Sequence, residues 1–176
     1  MKNFGLISLS IVLLIFTGCG KIEDLIKIKV EDTSTLIIPS NTIINLPIDI
    51  LTPETETNLD EELANNNSRK DKIKTIRLQE LTVTITNPSG ESFNFLNSIK
   101  LYIRADGFAE REIAYLDQIP NDAGSELVLN VYDDDLSDYL KQDKYSLRAN
   151  VKTDELITQQ MEIEIYTRFE VTADIF

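Results

Sequence analysis

Apolar and polar residues alternate along most of the chain from Leu25 onwards. Such alternation is typical of β-strands that bury one face, because successive side chains point to opposite sides of a sheet. The longest example covers residues 73–85, where a change of phase near Glu80 indicates a β-bulge. Further alternating segments lie at residues 25–30, 99–103, 112–116, 127–131, 145–151 and 161–173. Short strands with turns between them predict an all-β fold, an antiparallel β-sandwich.

Two segments carry helical signals. Thr52 and Pro53 are typical of a helix start, with Thr52 as the N-cap and proline in the first turn. Leu59 and Leu63 would then face inward at helical spacing. The polar residues 65–68 would end this helix, and residues 133–141 predict a second, shorter one. We therefore expect one or two short helices in the connections of the sandwich.

The N-terminus has a different pattern, which is typical of a signal peptide. Lys2 is basic, residues 6–16 are apolar and uncharged, and small residues follow before Cys19. The apolar run is about half of the roughly 20 residues that a membrane-spanning helix needs. The sequence thus predicts a lipoprotein signal peptide at 1–18, a short tether at 19–24 and a single domain at 25–176.

Residues 16–19, Phe-Thr-Gly-Cys, resemble the bacterial lipobox, in which a small residue precedes a cysteine that is lipid-modified and becomes the mature N-terminus. Cys19 is the only cysteine, so it has no disulfide partner in an oxidising compartment. The alternative, an ordinary signal peptide cut near Gly18, would leave a free thiol there. We predict that Cys19 carries diacylglycerol and an N-acyl chain such as palmitate, and anchors the domain to the cell envelope, at the outer membrane.

The charge of the chain is strongly negative, with 17 Lys and Arg against 30 Asp and Glu and a formal net charge of −13. Nucleic acid is excluded as a partner, since phosphate binding depends on Lys and Arg. Anionic lipid head groups would also repel so acidic a surface. Membrane attachment would therefore depend on the lipid at Cys19, and a tether of about 20 Å keeps the domain close to the bilayer.

The residue types present argue against catalysis. Histidine is absent, which excludes the Ser-His-Asp and Cys-His arrangements and histidine-bound zinc. Six glycines provide no phosphate-binding loop, and tryptophan, a common platform for sugars, is absent. Carboxylate chemistry of the glycosidase type stays open, because acidic residues are abundant. We expect a protein that is not an enzyme.

A cluster of aspartates is the most suggestive group of polar residues: Asp133, Asp134, Asp135 and Asp138. Oxygen-rich loops of this kind bind calcium in extracellular modules, although the spacing differs from that of an EF-hand. The simpler interpretation is helix capping by Asp133 or Asp134, with the other aspartates favoured by the helix dipole. We expect no metal or other cofactor besides the lipid, with these four residues as the calcium candidates.

Aromatic residues fall into two groups along the sequence. The first comprises Phe93, Phe95, Tyr102, Phe108 and Tyr115, and the second comprises Tyr132, Tyr139, Tyr145 and Tyr166. Most would pack in the core or on strand faces. A cluster that stayed exposed would instead indicate a protein-binding surface. Periodicity alone does not distinguish these cases, so the binding residues stay undefined.

Five segments resemble a family of uncharacterised Gram-negative bacterial lipoproteins. They are LTP at 51–53, LTVTITNPSG at 81–90, FNFL at 93–96, IKLYI at 99–103 and DLSDYL at 135–140. The resemblance implies an immunoglobulin-like β-sandwich and carries no known activity.

Three functions are compatible with the sequence. The first is a non-catalytic binding or scaffold module that holds an envelope protein at the membrane. The second is a carrier or sensor of a small apolar ligand such as lipid, which needs a cavity between the sheets. The third is a calcium-dependent adhesin or carboxylate enzyme, which needs converging acidic side chains. Only the first of these functions, the binding module, is compatible with the sequence without a further feature such as a cavity or an acidic cleft.

Overall fold

A computed structural model describes residues 25–41 and 45–175 of the chain. The strands in these ranges are β1 (Leu25–Ile38), β2 (Pro47–Leu51), β3 (Thr55–Glu56), β4 (Ile73–Asn87), β5 (Leu96–Arg104), β6 (Arg111–Asp117), β7 (Glu126–Val128), β8 (Asn130–Val131), β9 (Lys144–Thr153) and β10 (Met161–Asp174). The α-helices are α1 (Leu59–Asn65) and α2 (Ser137–Leu140), and 3-10 turns cover Lys70–Lys72 and Phe93–Phe95. The predicted signal peptide, Cys19 and the tether lie outside the described residues.

The strands form two sheets that pack face to face. One is four-stranded in the order β1-β10-β4-β7. The other is six-stranded, with β2-β9-β5-β6-β8 in order and β3 paired with β9. Neighbouring strands are antiparallel throughout these pairings. The predicted antiparallel β-sandwich is confirmed.

The core lies between the sheets and is built from every second residue of each long strand. In β10, Ile163 and Ile165 are fully buried, and Leu101 and Ile103 are equally buried in β5 of the other sheet. Each such side chain contributes about 1.5–3 kcal/mol by leaving water. The alternating pattern of the sequence is therefore the direct cause of the two-layer architecture.

The change of phase near Glu80 is a real irregularity of β4. The register between β4 and β10 shifts where Arg168 pairs with Glu80 and Phe169 pairs with Leu78. One residue of β4 is thus left between the two pairs, as in a β-bulge. Leu78 and Leu81 can both be buried because of this extra residue.

The segment 127–131, predicted as one strand, is divided between the two sheets. β7 pairs with β4, whereas β8 pairs with β6. The chain crosses at Leu129, which is buried and whose N–H donates to the Leu81 carbonyl at 2.9 Å. Alternation persists through the crossing, so the pattern alone did not reveal it.

The prediction of a helix N-cap at Thr52 is wrong. The Thr52 N–H donates to the Leu147 carbonyl at 2.8 Å, and the Leu147 N–H donates back to Thr52 Oγ1 at 2.9 Å. Thr52 therefore extends the pairing of β2 with β9, and α1 begins later, after Asn58. Leu59 and Leu63 are buried, as their helical spacing predicted.

Both α-helices lie at the end of the sandwich at which β1 begins, close to the last residues of β10 and the first residues of β4. We call this the tether end. In the described part of the chain, no helix is long and apolar enough to span a bilayer.

Candidate binding surface

Three tyrosines lie on the outer face of the six-stranded sheet. Tyr102 stands on β5, Tyr115 on β6, and Tyr132 directly follows β8. The register places them side by side, with Lys100 opposite Tyr115 and with Tyr102 opposite both Glu112 and Arg148. We call this group the tyrosine face, defined by Lys100, Tyr102, Glu112, Tyr115, Tyr132 and Arg148.

Tyr115 and Tyr132 form the aromatic part of this face. Their ring centroids are 5.2 Å apart, a separation at which aromatic pairs attract. The Tyr132 hydroxyl donates to Glu112 Oε1 at 3.0 Å, and Lys100 Nζ lies 3.5 Å from the same oxygen. Partial desolvation, together with the hydrogen bond to Glu112, raises the pKa of the Tyr132 phenol. Tyr132 is still 39% exposed, so its ring is available to a partner.

Arg148 forms the charged part of the face. Its guanidinium lies 4.0 Å above the centre of the Tyr102 ring, within cation–π distance. Arg148 donates to both carboxylate oxygens of Glu110, at 2.5 and 2.7 Å, and also to Asp49. The hydrogen bond from Arg148 lowers the pKa of Glu110. These contacts hold the guanidinium in one orientation, as an organised binding group requires.

The structure sorts the remaining aromatic residues into the two classes that the sequence left open. Phe93, Phe95, Tyr139 and Tyr145 are buried, whereas Phe108 is 41% exposed and packs against Tyr139. Tyr166 is half-buried on the outer face of the four-stranded sheet, without a neighbouring tyrosine on that face. The signal that identifies the tyrosine face is thus the pairing register, which a single sequence does not contain.

The aspartates of residues 133–138 take separate roles. Asp133 bonds to Arg77 at 2.8 Å, and Asp134 lies 4.0 Å from Arg111. Asp138 is in the first turn of α2. Across residues 25–41 and 45–175, no group of three or more acidic side chains is placed to hold a metal ion. The calcium candidates therefore do not converge on one site.

The prediction that Asp133 or Asp134 caps α2 is wrong, because the N-cap residue is Leu136 and the aspartate bonded to the start of the helix is Asp135. Asp135 Oδ1 accepts hydrogen bonds from the Ser137 N–H at 3.0 Å, from the Ser137 hydroxyl and from the Ile76 N–H at 3.0 Å. Desolvation opposes ionisation of Asp135, but these hydrogen bonds outweigh it and lower its pKa. Asp135 thus joins the start of α2 to β4, which explains why a short helix is stable at this place.

A cleft of about 830 Å³ opens at the tether end. Apolar Leu51, Phe108 and Tyr145 line it together with the charged residues Glu54 and Lys144. The cleft is bounded by the loops after β2 and β5 and by the start of β9, so it lies beside the core and not between the two sheets. Its mixed lining suits water or a polar group better than an acyl chain.

No known protein family matches this sequence, and no curated protein matches it. Among solved structures, the chain is similar to one in the structure of tomato aspermy virus, with 16% identity, a TM-score of 0.33 and coverage of 79% of this chain and 76% of that chain. It is also similar to a chain of desmodium yellow mottle tymovirus, with 12% identity, a TM-score of 0.30 and coverage of 86% and 90%. Structural similarity at TM-scores this low carries no argument about function.

Proposed function

We propose that this protein is a lipid-anchored, non-catalytic binding module of the cell envelope that holds a partner protein through its tyrosine face. The observation that carries the proposal is the cluster of tyrosines with Arg148 on the open side of the six-stranded sheet. Tyrosine and arginine are the residue types most enriched at the energetic centres of protein interfaces.

The arrangement of the face favours binding over simple solvation. Tyrosine rings offer a large contact area with few rotatable bonds, so the tyrosine side chains lose little conformational entropy when a partner docks. Arg148 is already fixed by Glu110 and Asp49, and its ordering is therefore complete before the partner arrives. The membrane anchor in this proposal is the lipid on Cys19, which is supported by residues 16–19 of the sequence.

Mild crosslinking in the native envelope, followed by purification of the lipidated protein, tests the binding surface. The variant Tyr115→Ala with Tyr132→Ala removes the aromatic pair. The matched control is Tyr166→Ala, which removes a half-buried tyrosine from the opposite sheet. We expect the double variant to recover roughly tenfold less of a specific partner, because hot-spot tyrosines each cost more than about 1 kcal/mol when truncated. Equal recovery of the partner with the parent, the double variant and Tyr166→Ala would contradict the proposal that the tyrosine face binds it.

The anchor has its own test. Cys19→Ser is expected to release the protein from the membrane fraction, since the apolar segment before it is too short to remain as a membrane span. Retention of Cys19→Ser in the membrane would contradict lipid anchoring but leave the tyrosine face untouched.

A further inference from the structure

The strand β1 is a long and regular sheet edge. It pairs with β10 over all 14 of its residues without a register shift. Within the described residues, no backbone hydrogen bond reaches β1 from the side away from β10. In an antiparallel pair, every second residue directs its N–H and C=O away from the neighbouring strand. About half of β1 therefore presents unpaired backbone groups, the usual template for adding another strand.

The outer face of β1 carries charges of both signs. Lys27, Lys29 and Glu31 alternate with buried residues and point to the same side. Lys27 already pairs with Glu170 at 2.9 Å, whereas Lys29 has no ion pair among the described residues. Lysines on an edge strand usually oppose pairing. A strand that placed a carboxylate opposite Lys29 would remove this obstacle.

We propose that a second copy of this chain supplies that strand, and that two β1 strands pair antiparallel about a two-fold axis at Val30. Lys29 of each copy then lies opposite Glu31 of the other, so the seam contains two opposite-charge pairs. The two four-stranded sheets become one continuous sheet of eight strands. The occupant of the edge is thus defined by the sequence of β1 itself.

The charges select this register from its neighbours. An axis between two residues would place outward side chains opposite inward ones, so the axis must pass through a residue. An axis at Lys29 or at Glu31 would place that residue opposite its own copy, and like charges directly opposite destabilise a sheet. With the axis at Val30, Lys27 faces Thr33 and Leu25 faces Thr35, so no like charges oppose each other on the outer face.

The pairing also sets how the dimer meets a membrane, a consequence that rests on the lipid anchor of the proposed function. The two Leu25 residues lie ten residues apart along the seam, about 34 Å at 3.4 Å per residue. Both short tethers reach the same bilayer when the seam lies parallel to it. The dimer would then rest on one sheet face instead of standing on its tether end.

Sedimentation equilibrium of the lipidated protein in mild detergent tests the proposal through a charge exchange. We expect Lys29→Glu and Glu31→Lys to weaken dimerisation by roughly tenfold or more, because two-fold symmetry turns two attractive pairs into two repulsive ones. The double variant, Lys29→Glu with Glu31→Lys, should regain the affinity of the parent. Lys72→Glu, in the turn Lys70–Lys72, is the control for the same charge change elsewhere and should have no effect.

Three results would overturn the proposal: a parent protein that is monomeric at every concentration, single variants that dimerise like the parent, or a double variant as weak as the singles. Circular dichroism melts check that each variant is folded, as is expected for exposed charges. The proposed function fails separately, since its variants lie on the other sheet and are read out by capture of a partner.

Discussion

The two outer faces of the sandwich arise from the same alternating pattern but differ in how their side chains are organised. On the six-stranded sheet, the tyrosine face joins aromatic rings to Arg148 and its carboxylate partners. On the four-stranded sheet, one row across the strands reads Thr35, Glu164, Thr84 and Glu126. We call this second surface the threonine face, defined by Thr33, Thr35, Thr82, Thr84, Glu126, Glu162 and Glu164.

The inward residues of the sheets determine the fold, whereas the two faces differ in their outward residues. Inward residues of both sheets are mostly apolar, and together they build the core of the sandwich. The outward residues decide what each face can bind. Glu126, Glu162 and Glu164 have no ion pair among the described residues, whereas Arg148 on the tyrosine face has two carboxylate partners. The threonine face is therefore expected to be a solvated surface, and the tyrosine face an organised one.

The largest predicted effect concerns a threonine hidden in the six-stranded sheet. Thr52→Val keeps the shape of the side chain but removes the acceptor for the Leu147 N–H. A buried donor without a partner costs about 1–3 kcal/mol. Thr84→Val, on the threonine face, should change the free energy of unfolding by less than about 0.5 kcal/mol. Urea denaturation of both variants measures the contrast, and equal effects would contradict it.

The role of Thr52 also shows where sequence analysis reached its limit. Thr52, Pro53 and the acidic residues after them fit a helix start in every local respect. Pairing with Leu147, which lies 95 residues away, overrides these preferences. A long-range partner of this kind is invisible in local sequence, so the start of α1 was misplaced while its buried leucines were predicted correctly.

Strand positions and the β-sandwich were predictable because burial repeats with a period of two. The division of 127–131 between two sheets was not, since the period continues through the crossing at Leu129. The tyrosine face was unpredictable for a related reason. Tyr102, Tyr115 and Tyr132 come together through strand pairing, and nothing in their spacing separates them from the buried Tyr145.

The second prediction compares one outward-facing arginine from each sheet. Arg148→Gln breaks the contacts with Glu110, Asp49 and the Tyr102 ring, and should lower the free energy of unfolding by about 1 kcal/mol. Arg168→Gln removes the hydrogen bonds to a single carboxylate, that of Glu80, at 2.7 and 3.1 Å on the other sheet. We expect a smaller shift of the melting temperature for Arg168→Gln. A larger shift would mean that the threonine-face side of the sandwich is the better organised one.

The third prediction concerns a charge beneath the edge of the four-stranded sheet. Burial raises the pKa of Asp32 above its usual 3.8, although a hydrogen bond from Tyr145 opposes this. Folded protein therefore binds this proton more tightly than unfolded protein, so stability falls as the pH rises through the window above 3.8. Asp32→Asn keeps an acceptor for Tyr145 and removes the buried charge. Its melting temperature should exceed that of the parent at pH 7.

The pH profile provides the control for Asp32→Asn. Below the unfolded pKa, the carboxyl is protonated in both states and the advantage of the variant should vanish. An advantage that stayed constant down to pH 3 would show that packing, and not charge, causes it.

The smallest effect is expected at the centre of the threonine face. Glu164 lies between Thr35 and Thr84, with Glu162 two residues along the same strand and Glu126 two strands away in the same row. Glu164→Gln removes a repelling charge and should stabilise the fold by about 0.3 kcal/mol at low salt. The gain should disappear at 1 M salt, where the screening length is about 3 Å.

Glu170→Gln is the matched control on the same strand, because Glu170 pairs with Lys27 at 2.9 Å. Loss of this ion pair should lower the free energy of unfolding slightly, a change opposite in sign to that of Glu164→Gln. Opposite signs would establish that the two ends of this sheet differ in charge balance: the tether end has compensated charges, whereas the carboxylates of the threonine face have no ion pair among the described residues. Equal signs would instead show that carboxylate charge is unfavourable along the whole sheet, as the net charge of −13 alone would predict.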